Sequence, residues 1–150
     1  MPQSLSKNVV HLIFSTKERR PFLKTMLGAT SISYLGVVLK NMNCPTIIMN
    51  SVEDHIHILF LQHRTKNLSE IVQVVKQSSS KWLKSRPSVQ RCFTWQTGYG
   101  AFSISESRIA SVKIYIQNQQ EKHREVSFQE EFISFLKKYN IEYDERYLWD

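Results

Sequence analysis

Cysteine, long apolar runs and acidic charge are all in short supply in this chain of 150 residues. The two cysteines, Cys44 and Cys92, lie far apart with no C-x-x-C between them. That excludes zinc-finger spacing and a disulfide framework, and leaves two reduced thiols of a cytoplasmic protein as the plain reading. No stretch approaches the roughly 18 apolar residues of a membrane span. The first apolar run, NVVHLIF, is short and is followed by KERR rather than by small residues, so a signal peptide is not expected. Acidic residues number 13 against 20 lysines and arginines, for a net charge of +7. Such an excess favours a polyanionic partner, nucleic acid or an anionic surface. There is no internal repeat, low-complexity tract or linker, and residues 1–150 are expected to form one domain.

What is present alternates between strand and helix patterns. Residues 8–15 are β-branched and apolar, and read as a strand; the basic loop STKERRP follows. Residues 22–41 read as a helix with Leu27, Tyr34, Val38 and Leu39 inward, ended by Asn43–Pro45. TIIMNSV (46–52) and HIHILFL (55–61) read as a hairpin turning at Glu53-Asp54. A second helix is expected over 67–85, stopped by Pro87, with Leu68, Ile71, Val75 and Trp82 on one side. The aromatic stretch 92–103, broken by Gly98 and Gly100, suggests an irregular strand or loop leading into a further strand. Ser103 with Glu106 fits a capping box for a helix to 123, Ser105 being an equally good cap, and Ser127 with Glu130 repeats the signal for 127–139. The order βαββαβ is that of an α+β, ferredoxin-like fold: an antiparallel sheet with helices on one face, plus C-terminal helices.

Within EDHIHILF the period of two puts His55, His57 and Leu59 on one face, and Ile56, Ile58 and Phe60 on the core side. Two imidazoles about 6.5–7 Å apart at Cα can converge on one metal ion. They can equally be two solvated side chains, because H-x-H alone is common. A metallo-β-lactamase would need aspartate where Leu59 stands, and an amidohydrolase barrel needs roughly 250 residues. His11 reads as a core residue, His63 as solvated, and His123 as a neutraliser of its helix dipole. On the helix 105–123, Tyr115 and Gln119 lie one turn apart, with Arg108, Ser111 and Lys122 nearby. A metal on His55, His57 and the oxygen of Gln119 could polarise a phosphodiester for attack by Tyr115. The bland alternative is a tyrosine snorkelling at the core edge. Lys17, Arg19 and Arg20 form one basic cluster. Lys76, Lys81, Lys84 and Arg86 form another, and all are candidates for phosphate contact. Trp95, Tyr99 and Phe102 are candidates for base stacking or for the core.

Taken together, HLIFSTKERRPFL (11–23), HIHILF (55–60), WQTGYGAFSIS (95–105), YIQNQ (115–119) and the tail IEYDERYLW resemble the single-tyrosine HUH transposases. These include the insertion-sequence-200 type and its relatives associated with extragenic palindromes. The resemblance covers nearly the whole chain in order. It implies a ferredoxin-like core and Mg²⁺- or Mn²⁺-dependent nicking and joining of single-stranded DNA at hairpin-flanked ends, through a 5′-phosphotyrosine intermediate. Carried over by position, His55, His57 and Gln119 are metal ligands and Tyr115 is the nucleophile. A homodimer is implied by the insertion-sequence members, whose tyrosine helix completes the partner's site, whereas the palindrome-associated relatives can be monomers. Two imidazoles suit Mn²⁺ better than Mg²⁺. Two other classes compete. One is a non-catalytic nucleic-acid-binding ferredoxin-like domain, although GYGAF lacks the basic lead of an RNP1 motif. The other is a replication-initiator or relaxase-type HUH endonuclease, which lacks the flanking blocks.

Overall fold

The computed structural model describes residues 2–23, 25–86, 93–123 and 125–150, with the backbone alone for 25–31 and 120. Its elements follow the expected order: β1 (Asn8–Ser15), α1 (Thr25–Asn41), β2 (Thr46–Ser51), β3 (His55–Gln62), α2 (Leu68–Lys84), β4 (Gly100–Ile104), α3 (Ile109–Gln117), α4 (Gln119–Lys122) and α5 (Phe128–Lys138). The four strands form one antiparallel sheet in the order β2-β3-β1-β4. This is the ferredoxin-like arrangement, with β3 inserted between the strands of the first βαβ unit.

Alternation of side chains divides the core in two. Val10, Leu12, Phe14, Ile56, Ile58 and Phe60 face α1 and α2 and pack with Leu35, Leu39, Ile71, Val75 and Leu83. Tyr34 and Val38 are only partly buried, and Tyr34 stacks on Trp82. The side chain of Leu27, and all of Pro87 and Cys92, lie outside the described residues. The opposite face does not stay open. Val9, Ile13, Leu59, Phe102 and Ile104 pack against Ile116 of α3, Phe128, Phe132 and Leu136 of α5, and the tail residues Leu148 and Trp149. The C-terminal helices therefore supply the cover that an amphipathic sheet face requires. Among the described residues no helix is long and apolar enough to cross a membrane.

Two boundaries differ from expectation. Ser103 belongs to β4, opposite Val10, so it caps nothing; the chain enters α3 through a 3-10 turn, Glu106–Arg108, with Ser105 in the cap position but making no side-chain cap bond. The strand pairing along Val9–Ile13 extends far enough to claim Ser103 before the helix can start. The helix expected to run to 123 breaks at Asn118 (φ −97°, ψ 22°) into α3 and α4. Ser127, in contrast, caps α5 as its S-x-x-E pattern predicts, its hydroxyl accepting from the Glu130 amide.

Candidate active site

The register of β1 and β3 sets His57 opposite Ile13 and His55 opposite Ser15, on the face that also carries His11. Both histidines of the pair are wholly buried there. Each is held by its Nδ1. Asp54 Oδ1 lies 2.6 Å from His55 Nδ1, and His11 Nε2 shares a 2.8 Å hydrogen bond with His57 Nδ1. Anchoring one ring nitrogen fixes the ring and aims the other. His11 is thus a core histidine with a structural partner, as its apolar strand predicts.

The two Nε2 atoms converge on a carboxylate. Glu131 Oε1, delivered by α5, lies 3.1 Å from His57 Nε2, 3.5 Å from His55 Nε2 and 3.1 Å from His123 Nε2. The candidate ligand atoms of His55, His57, His123 and Glu131 all lie within 4.8 Å of one another. The second carboxylate oxygen, Oε2, accepts the hydroxyl of Tyr115. Gln119 is fully buried at the rim of this group. Its Nε2 donates to the Tyr115 carbonyl at 3.2 Å, and its Oε1 lies 2.9 Å from His123 Nε2.

The electrostatics follow from burial around a single anion. Burial opposes ionisation of Glu131, but the bonds from His123, His55 and His57 outweigh it and hold the carboxyl far below the usual range. Burial and the adjacent Glu131 charge push the Tyr115 phenol well above its ordinary value. Burial lowers His57 to about 4 and His11 to about 3, so both are neutral at pH 7. For His55 burial works the other way from the bonds to Asp54 and Glu131, and the bonds win, raising it. The phenol is consequently held protonated at neutral pH.

The residues fit a divalent cation. His55 Nε2 is buried and makes no well-formed hydrogen bond, its nearest acceptor Glu131 Oε1 standing 3.5 Å away. The 3.1–3.5 Å separations between Glu131 Oε1 and the imidazole nitrogens are those of neighbouring ligands around one ion. Imidazoles with a carboxylate are a borderline-to-hard donor set suited to Mn²⁺ or Zn²⁺ ahead of Mg²⁺.

The structure places the expected site residues as follows. His55, His57, Tyr115 and Gln119 meet in one place. His123 and Glu131 belong with them and were missed: His123 does close its helix segment, yet its ring turns into the site. The spacing Tyr115, Gln119, His123 continues one helical row at i+4 and carried that signal. Nothing local marks Glu131, which arrives by the docking of α5. His63 is tied to Thr65 Oγ1 at 2.6 Å, away from the site.

Of the basic residues, Lys17 and Arg20 are exposed and Arg19 lies 5.8 Å over the Trp149 ring. Their loop contains two consecutive non-glycine residues in the left-handed region, Glu18 and Arg19 (φ 57° and 56°), each of the kind that costs about 1–3 kcal/mol. Thr16 secures it beside the histidine turn, its amide donating to the Asp54 carbonyl at 2.9 Å. Lys81 and Lys84 are exposed along α2 and, with Lys76, line a cleft of about 560 Å³ against Thr94–Thr97. Lys76 gives its ammonium to the carbonyls of Gln96, Thr97 and Gly98 (2.7, 3.1 and 2.7 Å). Trp95 and Phe102 are core residues, and Tyr99 keeps an exposed face.

A ferredoxin-like sheet that sets paired histidines against a helix-borne tyrosine is the arrangement that the resemblance to the tyrosine transposases implies. The family model described as "Transposase IS200 like" matches residues 4–119, and the chain belongs to that family. No curated protein matches the sequence. Among solved structures the fold is similar to a candidate transposase from Deinococcus radiodurans R1 (TM-score 0.62, 21% identity, covering 79% of this chain and 98% of that one). It is also similar to a REP-associated tyrosine transposase bound to a REP hairpin (TM-score 0.60, 13% identity, covering 84% of this chain and 74% of that one).

Proposed function

We propose that this transposase nicks and rejoins single-stranded DNA at hairpin-flanked ends through a covalent 5′-phosphotyrosine on Tyr115. The observation that carries the reading is the split use of one carboxylate: Glu131 Oε1 faces three imidazole nitrogens while Oε2 holds the Tyr115 proton. His55 and His57 would hold the divalent ion, Mn²⁺ or Mg²⁺, and the third protein ligand would come from the linked row of Gln119, His123 and Glu131. A bound ion supplies a Lewis acid for the phosphodiester and a positive charge beside the phenol. Glu131 Oε2 takes the hydroxyl proton as the Tyr115 oxygen bonds to phosphorus, the bond from phosphorus to the 3′-oxygen breaks, and that oxygen takes up the proton from the carboxyl to leave as a 3′-hydroxyl. The ester energy is kept in the phosphotyrosine, so a later 3′-hydroxyl can reverse the step and join a new end. The hairpin bound by the REP-associated neighbour supports a folded single strand as the ligand. Lys17, Arg19, Arg20 and Lys81 would contact its phosphates, while Lys76 contributes charge and holds the 96–98 segment.

The test is covalent capture. With Mn²⁺ and single-stranded hairpin oligonucleotides taken from the DNA that flanks the gene, the protein should form a DNA adduct on a denaturing gel. Tyr115→Phe should remove the adduct entirely. His57→Ala should remove it with hairpin affinity changed less than about threefold, because few phosphate contacts are lost. An adduct that survives Tyr115→Phe would overturn the assignment.

A further inference from the structure

At the break between α3 and α4 the end of the helix is met by a side chain from β2. The final carbonyls of a helix have no partners of their own and must find donors elsewhere. At the end of α3 those donors are side-chain amides. Asn50 Nδ2 donates to the Ile116 carbonyl at 2.9 Å and reaches the Gln117 carbonyl at 3.4 Å, while Gln119 Nε2 takes the Tyr115 carbonyl. The Asn50 amide is itself oriented, since its Oδ1 accepts from the Ser51 backbone N–H at 2.9 Å. The chain then leaves helical geometry at Asn118, and Gln119 and His123 follow on a new segment.

Asn50 sits on β2 directly opposite His57 in the β2–β3 register. A single ladder rung and a single hydrogen bond therefore connect the strand that bears the histidine pair to the helix that bears the tyrosine. We propose that Asn50 is a positioning residue for the nucleophile: by capping α3 from the rung beside His57, it sets the placement of Tyr115 relative to His55, His57 and Glu131. Asn50 touches none of the reacting groups and acts through the backbone of Ile116. Displacing a reacting atom by about 1 Å can cost roughly a hundredfold in rate, so a cap at this point controls chemistry without being part of it. The inference rests on the proposed role of Tyr115.

Three variants test it. Asn50→Asp keeps the shape but faces the two carbonyls with an acceptor, Asn50→Ala removes the group, and Asn50→His places a ring N–H near the amide position. Asp and Ala should slow single-turnover adduct formation about 10- to 100-fold, with hairpin affinity essentially unchanged and the melting temperature lowered by only a few degrees, and His should recover most of the rate. Wild-type rates in both Asp and Ala overturn the proposal. So does a rate loss that merely tracks lost affinity or lost thermal stability, or that His fails to recover. Hydrogen exchange of the amides in 115–123, read on the protein alone, separates this idea from the one beneath it. If wild-type protein forms no adduct, the proposed function fails. Asn50 is then judged by whether its Ala variant loses protection there with the melting temperature lowered by only a few degrees, and retained protection overturns it.

Discussion

Gly100 opens β4 in a space that admits no side chain. A Cβ there would fall well inside van der Waals contact of Phe132 Cε2 and 3.1 Å from Ile13 Cγ2. Phe132 follows Glu131 on α5, so this glycine is what lets the helix carrying the carboxylate sit close to the sheet. Gly100→Ala should lower unfolding stability by about 1–3 kcal/mol, as overpacking in a filled core does, measured as a shift of the urea midpoint at unchanged slope. An unchanged midpoint would mean that α5 can retreat freely. At this scale the sequence was informative wherever chemistry has a fixed local period. His55 and His57 could be read as sharing a face because alternation in a strand leaves no other option, with Ile56 and Ile58 on the core side. Glu131 could not be read, because its partners lie on β3, on α3 and at the end of α4, and its meaning comes from tertiary docking. His123 falls between the two cases: the i+4 row was visible, but a charge at a helix end explained it equally well.

Elements were legible to the extent that their ends are decided locally. Ser127 caps α5 and Asn67 caps α2, whose Glu70 amide bonds to the Asn67 side chain, because cap and helix compete with nothing else. Ser103 failed because β-pairing with β1 took it before the cap could form, and the end of α3 was not legible because the amide that meets the Ile116 carbonyl, Asn50, stands 66 positions earlier. Lys76 illustrates the same limit. As a lysine in a basic helix it reads as a phosphate contact, yet all three of its N–H groups meet backbone carbonyls, and its ammonium lies 5.1 Å from the Phe14 ring. Taking the Gln96 carbonyl leaves the Ser15 amide to bond the Gln96 side-chain oxygen instead, at 2.8 Å. Burial lowers the Lys76 ammonium to about 8, so it remains largely charged at pH 7. Lys76→Met should therefore cost about 1–3 kcal/mol of stability through the orphaned carbonyls and expose the amides of 96–98 to hydrogen exchange. Lys81→Met, on the exposed side of the same helix, should leave stability within about 0.5 kcal/mol and reduce the salt dependence of hairpin binding by close to one phosphate contact. If the two variants behave alike, the distinction drawn between a tethered and a free cation is wrong.

For the whole molecule the decisive fact is that β3, α3, α4 and α5 of a single chain bring His55, His57, Tyr115, Gln119, His123 and Glu131 together. The family resemblance left open whether a tyrosine helix serves its own histidines or a partner's. Here α3 packs on the sheet of its own chain through Ile116, and α5 closes over it with Phe128 and Phe132 buried. Exchanging α3 between two copies would have to remake that packing and the Asn50 cap against the partner's sheet. A complete site in each chain predicts that two dead variants cannot rescue one another. Mixing equal amounts of Tyr115→Phe and His57→Ala proteins with Mn²⁺ and the hairpin oligonucleotide should yield no covalent adduct, even after co-refolding to allow exchange of chains. In a swapped dimer, each mixed pair would keep one site with an intact tyrosine and an intact histidine pair, and the adduct would return. Dimerisation through another surface would not restore it, so the experiment reads the ownership of the tyrosine helix rather than the oligomeric state. An adduct in the mixture would mean that the helix seen here against its own sheet is exchanged when DNA is cut.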